Sequence, residues 1–211
     1  MVELAHNMNP TGRGYRIPMP CSGIYAYPLD PRAEEFFIED VARKLAQQCR
    51  YGGGTYDFYS VAEHCCLLHD WIRPPLKRAA LLHDRAEALL QDFIRPVKQL
   101  CQPWYGDMER KIEEVSAPVF KVPYPNPDEV MEADYRICID EKHQAYGAIK
   151  FEAENDIERN AADMGVKPSD AVMKRPGSDK GALGVTIKFW TPRKAELEFL
   201  HRWYALEDAG L

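Results

Sequence analysis

His83, Asp84 and Glu87 follow an apolar run, Ala80-Leu81-Leu82, and offer one imidazole and two carboxylates in close succession. On a helix, His83 and Glu87 are four residues apart and Asp84 and Glu87 three, so each pair shares a face. Burying such groups unpaired beside apolar surface is costly. A divalent cation is one way to satisfy them, and imidazole with carboxylate suits Mn, Fe, Co, Ni or Zn. These residues alone do not make a site. His64, at the start of a neighbouring helix, and Asp134, within Val130-Met131-Glu132-Ala133-Asp134, are candidates for the rest. Each also has a plainer reading, His64 as a surface or capping histidine and Asp134 as a solvated acid. His69-Asp70 is a second histidine–aspartate pair, but His69 lies five residues past His64, about 140° round a helix. No acid follows on its face, so it reads as the last turn of its helix.

The elements that must position these groups can be drawn from periodicity and breakers. Ile38, Val41, Ala42 and Leu45 predict an amphipathic helix over 38–48. It stops near Arg50-Tyr51-Gly52-Gly53-Gly54, where three glycines cannot sustain it. Ser60-Val61-Ala62-Glu63 reads as a capping box that opens a helix to about Ile72 and sets His64 in its first turn. Pro74-Pro75 opens the next helix, which runs through His83 to about Leu90, and Pro96 bars its continuation. A polar amphipathic helix is predicted over 105–115, ending before Pro118. Another runs from Asp128 to about Ala162, with a kink near Gly147. The Pro- and Gly-containing stretch 165–184 is expected to be a flexible loop. Thr191-Pro192 caps a last helix whose apolar face is Ala195, Phe199, Trp203 and Leu206. Six or seven helices and almost no strand predict an all-α domain over 33–206. Residues 1–32 read as an irregular arm, with an extended piece around Ile24 to Tyr27.

The chain has 211 residues, 45% hydrophobic and 28% charged, which suits one ordinary globular domain. A net charge of −6 with both signs interleaved argues against a duplex nucleic-acid binder, which would show a basic face. It leaves small phosphate substrates open. Six cysteines without a C-x-x-C pair read as reduced thiols, which places the protein in the cytoplasm. No apolar run is long enough for a membrane span, and the first ten residues lack a signal-peptide core.

The order His64, His83-Asp84, Asp134 resembles the H…HD…D signature of the HD-domain metal-dependent phosphohydrolase superfamily. Tyr59 to His64 and Leu81 to Lys98 resemble the matching segments of the 5′-deoxynucleotidases and of the phage-type HD hydrolases, dATP triphosphohydrolases among them. Glu132-Ala133-Asp134 resembles their third segment, and Tyr27 to Arg32 and the final helix resemble phage-type members. The resemblance spans about residues 24–206.

It implies a compact HD-type helical bundle and a nucleotide substrate. The reaction would release phosphate from a deoxynucleoside monophosphate, or triphosphate from a deoxynucleoside triphosphate such as dATP. His64, His83, Asp84 and Asp134 would hold a divalent transition metal (Co, Mn, Zn, Ni or Fe), with additional Mg entering on the substrate phosphates. Glu87 would be the acid–base group, with Asp92 assisting it. Arg50 and Lys98 would meet phosphate, and Tyr51 would lie against the sugar. By its residue type alone, Arg50 is equally a cation at a helix end. Many phage-type members have a histidine after the two glycines; here that position is Gly54. Glu63 and Glu132 are the expected partners for the ligand histidines' second nitrogens. The resemblance also implies a homo-oligomer and a cytoplasmic location, which is the host's if the chain is phage-encoded. A different phosphate ester (an alarmone or a cyclic nucleotide) and a non-catalytic nucleotide-binding module are the alternatives.

Overall fold

Ile38, Val41, Ala42 and Leu45 line one side of α1 (Ile38–Gln47), and all four are buried. That stripe sets the direction of the main core. The structure is a computed structural model and describes residues 12–146 and 180–210. Among these, the helices after α1 are α2 (Val61–Trp71), α3 (Lys77–Leu81), α4 (Glu87–Leu90) and α5 (Arg95–Leu100). They continue with α6 (Trp104–Val119), α7 (Asp128–Ala145) and α8 (Pro192–Asp208). The two short strands β1 (Ile17–Pro18) and β2 (Tyr25–Ala26) pair antiparallel, with Ile17 opposite Ala26. The all-α expectation holds. No described helix is long and apolar enough to cross a membrane.

Helix α8 packs across α1, α2 and α3. Its Ala195, Phe199, Trp203 and Leu206 join Val41, Leu45, Cys65, Cys66 and Leu81 in one core. This is the apolar face read from the sequence, and it assigns Phe199 and Trp203 to the interior. A second cluster, with Leu68, Ala80, Val130, Ala133 and Ile137, fastens α7 to α2 and α3. Met19 and Ala26 of the hairpin are buried in the main core, so residues 12–32 pack onto the helices. All six cysteines are free thiols. Phe199 is fully buried, and Phe199→Ala is expected to cost about 3–5 kcal/mol, read from the shift in urea midpoint.

Three boundaries differ from the sequence expectation. The helix predicted over 74–90 is broken between Leu81 and Glu87. His83 Nδ1 lies 2.8 Å from Ala80 O, the carbonyl that an unbroken helix would offer to the Asp84 N–H. Asn126 Nδ2 donates to His83 O at 3.2 Å, the carbonyl that the Glu87 N–H would have used. The backbone tightens instead, with Glu87 N bonding Asp84 O at 2.9 Å. Arg85 is fully buried here and donates to Leu82 O, Glu113 O and Ser116 Oγ. Pro96 does not simply end a segment; it sits in the first turn of α5, where its missing N–H costs nothing. Helix α6 continues through Pro118 to Val119, because a proline in the final turn removes only one bond near an already fraying end.

Residues 183–190 return along α7 and α2, held by the buried Asp140 and Glu63 and the half-buried Gln144. Asp140 accepts from Leu183 N at 2.8 Å and from Gly184 N at 3.1 Å. Gln144 pairs with Val185 O and Ile187 N, each at 2.9 Å. Glu63 accepts from Lys188 N at 2.6 Å and Trp190 N at 2.7 Å. The expected continuation of α7 to Ala162, the kink at Gly147 and most of the 165–184 loop lie outside the described residues.

Candidate metal centre

Ser60 caps α2 by accepting from Glu63 N at 3.1 Å, which fixes the start of the helix and points His64 inward, where it is fully buried. The break after α3 turns His83 and Asp84 toward the same place. Helix α7, seated on α2, brings Asp134. His64 Nε2 lies 3.2 Å from His83 Nε2, 3.0 Å from Asp134 Oδ1 and 3.7 Å from Asp84 Oδ2. His83 Nε2 lies 3.2 Å from Asp84 Oδ2 and 3.5 Å from Asp134 Oδ1. The four side chains named from the sequence therefore converge on one point, and His64 and Asp134 are neither a surface histidine nor a solvated acid.

The hydrogen positions are forced by the partners. His83 Nδ1 faces a carbonyl, Ala80 O at 2.8 Å, and His64 Nδ1 faces a carboxylate, Glu141 Oε1 at 2.6 Å. Both Nδ1 atoms must donate, so in the neutral rings both Nε2 atoms are bare lone pairs. Two lone pairs 3.2 Å apart, with two carboxylate oxygens beside them, repel unless a proton or a metal cation sits between. Ligands about 2.1 Å from a common ion stand about 3.0–3.4 Å from one another, which matches the closest of these separations. The buried His64 and His83 and the half-buried Asp134 can thus hold a metal ion, with Asp84 within reach of both imidazoles. Cys65 is not placed for this: its sulfur approaches the opposite nitrogen of His83, Nδ1, at 3.9 Å. Burial also pushes its thiol up to about 11, which keeps it protonated, and the thiolate is the ligand form.

Metal-free, the cluster holds protons tightly. Burial would lower His83, but Asp84 and the hydrogen bonds to Asp134 and Asp84 outweigh it and raise the imidazole well above its usual range. In His64, burial and Arg50 pull down, while Glu141 and Asp134 raise it on balance. A raised histidine contributes stability that is fully present below its unfolded value, about 6.5, and is lost as pH rises through the folded value. Metal-free protein is therefore expected to melt at lower temperature as pH climbs above about 6.5. Metal-loaded protein should show the opposite trend, since ligation requires the bare imidazole. Melting curves with chelator and with added Mn²⁺ across this pH range check both.

The remaining predicted residues surround the cluster. Glu87 is buried, and its Oε2 has no hydrogen-bond partner among the described residues. Burial first, then Asp84 and Asp92, push its carboxyl well above the usual range. Asp92 is raised by burial against the pull of Arg50. The Gln48 amide pins both residues, donating to Glu87 O at 2.9 Å and accepting from Asp92 N at 3.0 Å. Lys98 Nζ lies 3.9 Å from Glu87 Oε1 and 2.6 Å from Glu109.

Arg50 is buried. It is not a cation meeting a helix end: its guanidinium lies 3.6 Å from Asp84 and 3.2 Å from Glu141, and its Nε is buried without a hydrogen-bond partner among the described residues. Tyr51 follows with left-handed backbone (φ 58°, ψ 28°), and Gly52 and Gly53 continue at positive φ. For Tyr51 that conformation costs about 1–2 kcal/mol, offset by its hydroxyl on Glu141 at 2.5 Å and its ring edge-on to Tyr146.

Two expectations about supporting acids need correction. Glu63 neither closes the capping box nor touches a ligand; it is spent on Lys188 N and Trp190 N. Glu132 is tied to Lys180 and Arg136 at the surface. The supporting acid is Glu141, which the sequence reading missed. The available signal was its place seven residues after Asp134, two turns on and on the same face. His69-Asp70 stays out of the centre, as expected; Asp70 pairs with Arg202 at 2.6 Å.

No family model matches the chain. Two curated relatives match part of it. YfdR of Escherichia coli (strain K12) is 35% identical over 102 residues, which is 48% of this chain and 57% of the relative. RCAP_rcc00048 of Rhodobacter capsulatus is 38% identical over 93 residues, 40% of this chain and 47% of the relative. The chain thus spans about half the length of these relatives, and both are described as uncharacterized proteins.

Proposed function

We propose that this chain is a metal-dependent phosphohydrolase of the HD type that acts on deoxynucleotides. The observation that carries the reading is the pair of Nε2 atoms, 3.2 Å apart, with Asp134 and Asp84 beside them. His64, His83, Asp84 and Asp134 would hold the ion, of the Co, Mn, Zn, Ni or Fe group. Bound there, it supplies Lewis-acid charge to the phosphoryl group and eases deprotonation of water. About 29% of the Asp134 side chain and 18% of the Asp84 side chain face solvent, which leaves an approach on that side.

Glu87 supplies the proton. Burial, Asp84 and Asp92 raise its carboxyl well above the usual range, so it suits donation to the departing ester oxygen better than abstraction from water. The Gln48 amide holds its backbone. Arg50, whose Nε is buried without a hydrogen-bond partner among the described residues, and Lys98 would meet the phosphoryl oxygens and offset their charge.

The charge balance favours a single phosphate. Among the described residues, the cations at the centre are Arg50 and Lys98. Lys180 is bound to Glu132, and Arg85 is locked into the break between α3 and α4. A deoxynucleoside monophosphate is therefore the first substrate, and a triphosphate such as dATP, with Mg on its phosphates, the second. The test is a product screen by chromatography with purified protein and Mn²⁺, Co²⁺ or Mg²⁺. It should span nucleoside mono- and triphosphates, an alarmone and a cyclic nucleotide. Phosphate release from monophosphates alone is the expected result. Turnover of none, in a protein that binds metal, would move the chain to a binding role.

A further inference from the structure

Glu141 carries more donors than an ordinary partner of a ligand histidine. It is fully buried on α7, and its two oxygens face different groups. Oε1 accepts from His64 Nδ1 at 2.6 Å and from the Tyr59 hydroxyl at 2.6 Å. Oε2 accepts from the Tyr51 hydroxyl at 2.5 Å and from Arg50 at 3.2 Å. One carboxylate therefore joins the tautomer of a metal ligand to the aim of the cation next to it. We propose that Glu141 is a positioning residue that fixes His64 for the metal and Arg50 for the phosphate at once. The assignment rests on the phosphohydrolase reading and deepens it.

The chemistry of the four donors explains why no isostere serves. An amide has one oxygen and one NH₂. If the oxygen of a glutamine faces His64 and Tyr59, its NH₂ faces Arg50, where two donors oppose each other and the guanidinium is displaced. If the amide turns over, its NH₂ faces His64 Nδ1. That nitrogen must then accept, the ring proton moves to Nε2, and the lone pair needed by the metal is gone. Glu141→Gln can keep one duty or the other but not both. Aspartate is one methylene too short to reach from the same backbone position. A merely structural role would lower the melting temperature and leave the affinities of the folded protein unchanged.

The experiment is equilibrium binding on the full chain. Co²⁺ affinity is measured by competition with a chromophoric chelator and by the visible Co²⁺ spectrum. Inorganic phosphate affinity is measured on Co²⁺-saturated protein. For Glu141→Gln the expected result is one of two losses. Either Co²⁺ binds about 10–100-fold more weakly with an altered spectrum, or Co²⁺ is retained and phosphate binds at least about tenfold more weakly. Tyr59→Phe keeps the carboxylate and its contacts to His64, Tyr51 and Arg50; it is expected to stay within about threefold of wild type in both.

Glu141→Gln with wild-type Co²⁺ affinity and equal or tighter phosphate binding overturns the assignment. If that variant does not fold, Tyr51→Phe decides. It removes one of the two donors to Glu141 Oε2 and should weaken phosphate more than Co²⁺; equal affinity for both ligands, relative to wild type, overturns the proposal. Wild-type protein that binds no Co²⁺ overturns the metal centre and this role with it. Wild-type binding with an unchanged variant overturns this role alone.

Discussion

Exchanging His83 for alanine is expected to give a folded protein that retains no metal and turns over no nucleotide. His83 is where the chain commits most local structure to the centre. Its Nδ1 consumes the Ala80 carbonyl, its own carbonyl is taken by Asn126, and the helix is interrupted so that Nε2 can face His64. Losing an outer partner of a ligand typically costs about 10–100-fold in metal affinity, so losing the ligand itself should cost more. Metal content after gel filtration, far-UV circular dichroism and phosphate release are the three readouts. A folded His83→Ala protein with stoichiometric metal and normal turnover would falsify the centre.

Glu87→Gln is expected to separate chemistry from metal binding. The variant should keep the ion and lose about 10²–10⁴-fold in turnover, the usual worth of a positioned acid–base group. Stability should move the other way. A carboxyl raised well above its unfolded value binds more protons when folded, so stability declines as pH rises from the unfolded value, about 4.3, through the folded one. Glutamine carries no such titration. At neutral pH the variant should therefore melt at or above the wild-type temperature, a trade of activity against stability common at active sites. Lower stability with wild-type turnover would make Glu87 a structural residue and move the acid role to Asp92.

What the sequence disclosed follows a simple rule. Features set by neighbours along the chain were readable: the buried stripes of α1 and α8, the Ser60 cap, the stop near the three glycines. The ligand set was proposed from the ordered histidines and aspartates, and the structure brings all four together. Features that need a distant residue were not readable. The break after Leu81 depends on Asn126, forty-three residues beyond His83. Glu63 looked like half of a capping box because its true partners, Lys188 N and Trp190 N, lie more than 120 residues away. Glu141 looked like one more acid on a helix, because its value lies in four donors from residues 50–64, all more than seventy residues away. Helix α5 was missed for a different reason: Pro96 was taken as a stop, although proline is equally a start.

The segment 183–190 has a consequence for how the centre comes into being. Asp140 and Gln144 on α7 and Glu63 on α2 are each saturated by its backbone, and these two helices deliver Asp134 and His64. Without that segment, the buried carboxylates of Glu63 and Asp140 would lose these donors, at about 1–3 kcal/mol apiece. Affinity for the ion is thus a property of nearly the whole length of the chain: a nascent polypeptide that has made every ligand, but not yet residue 190, would hold metal poorly.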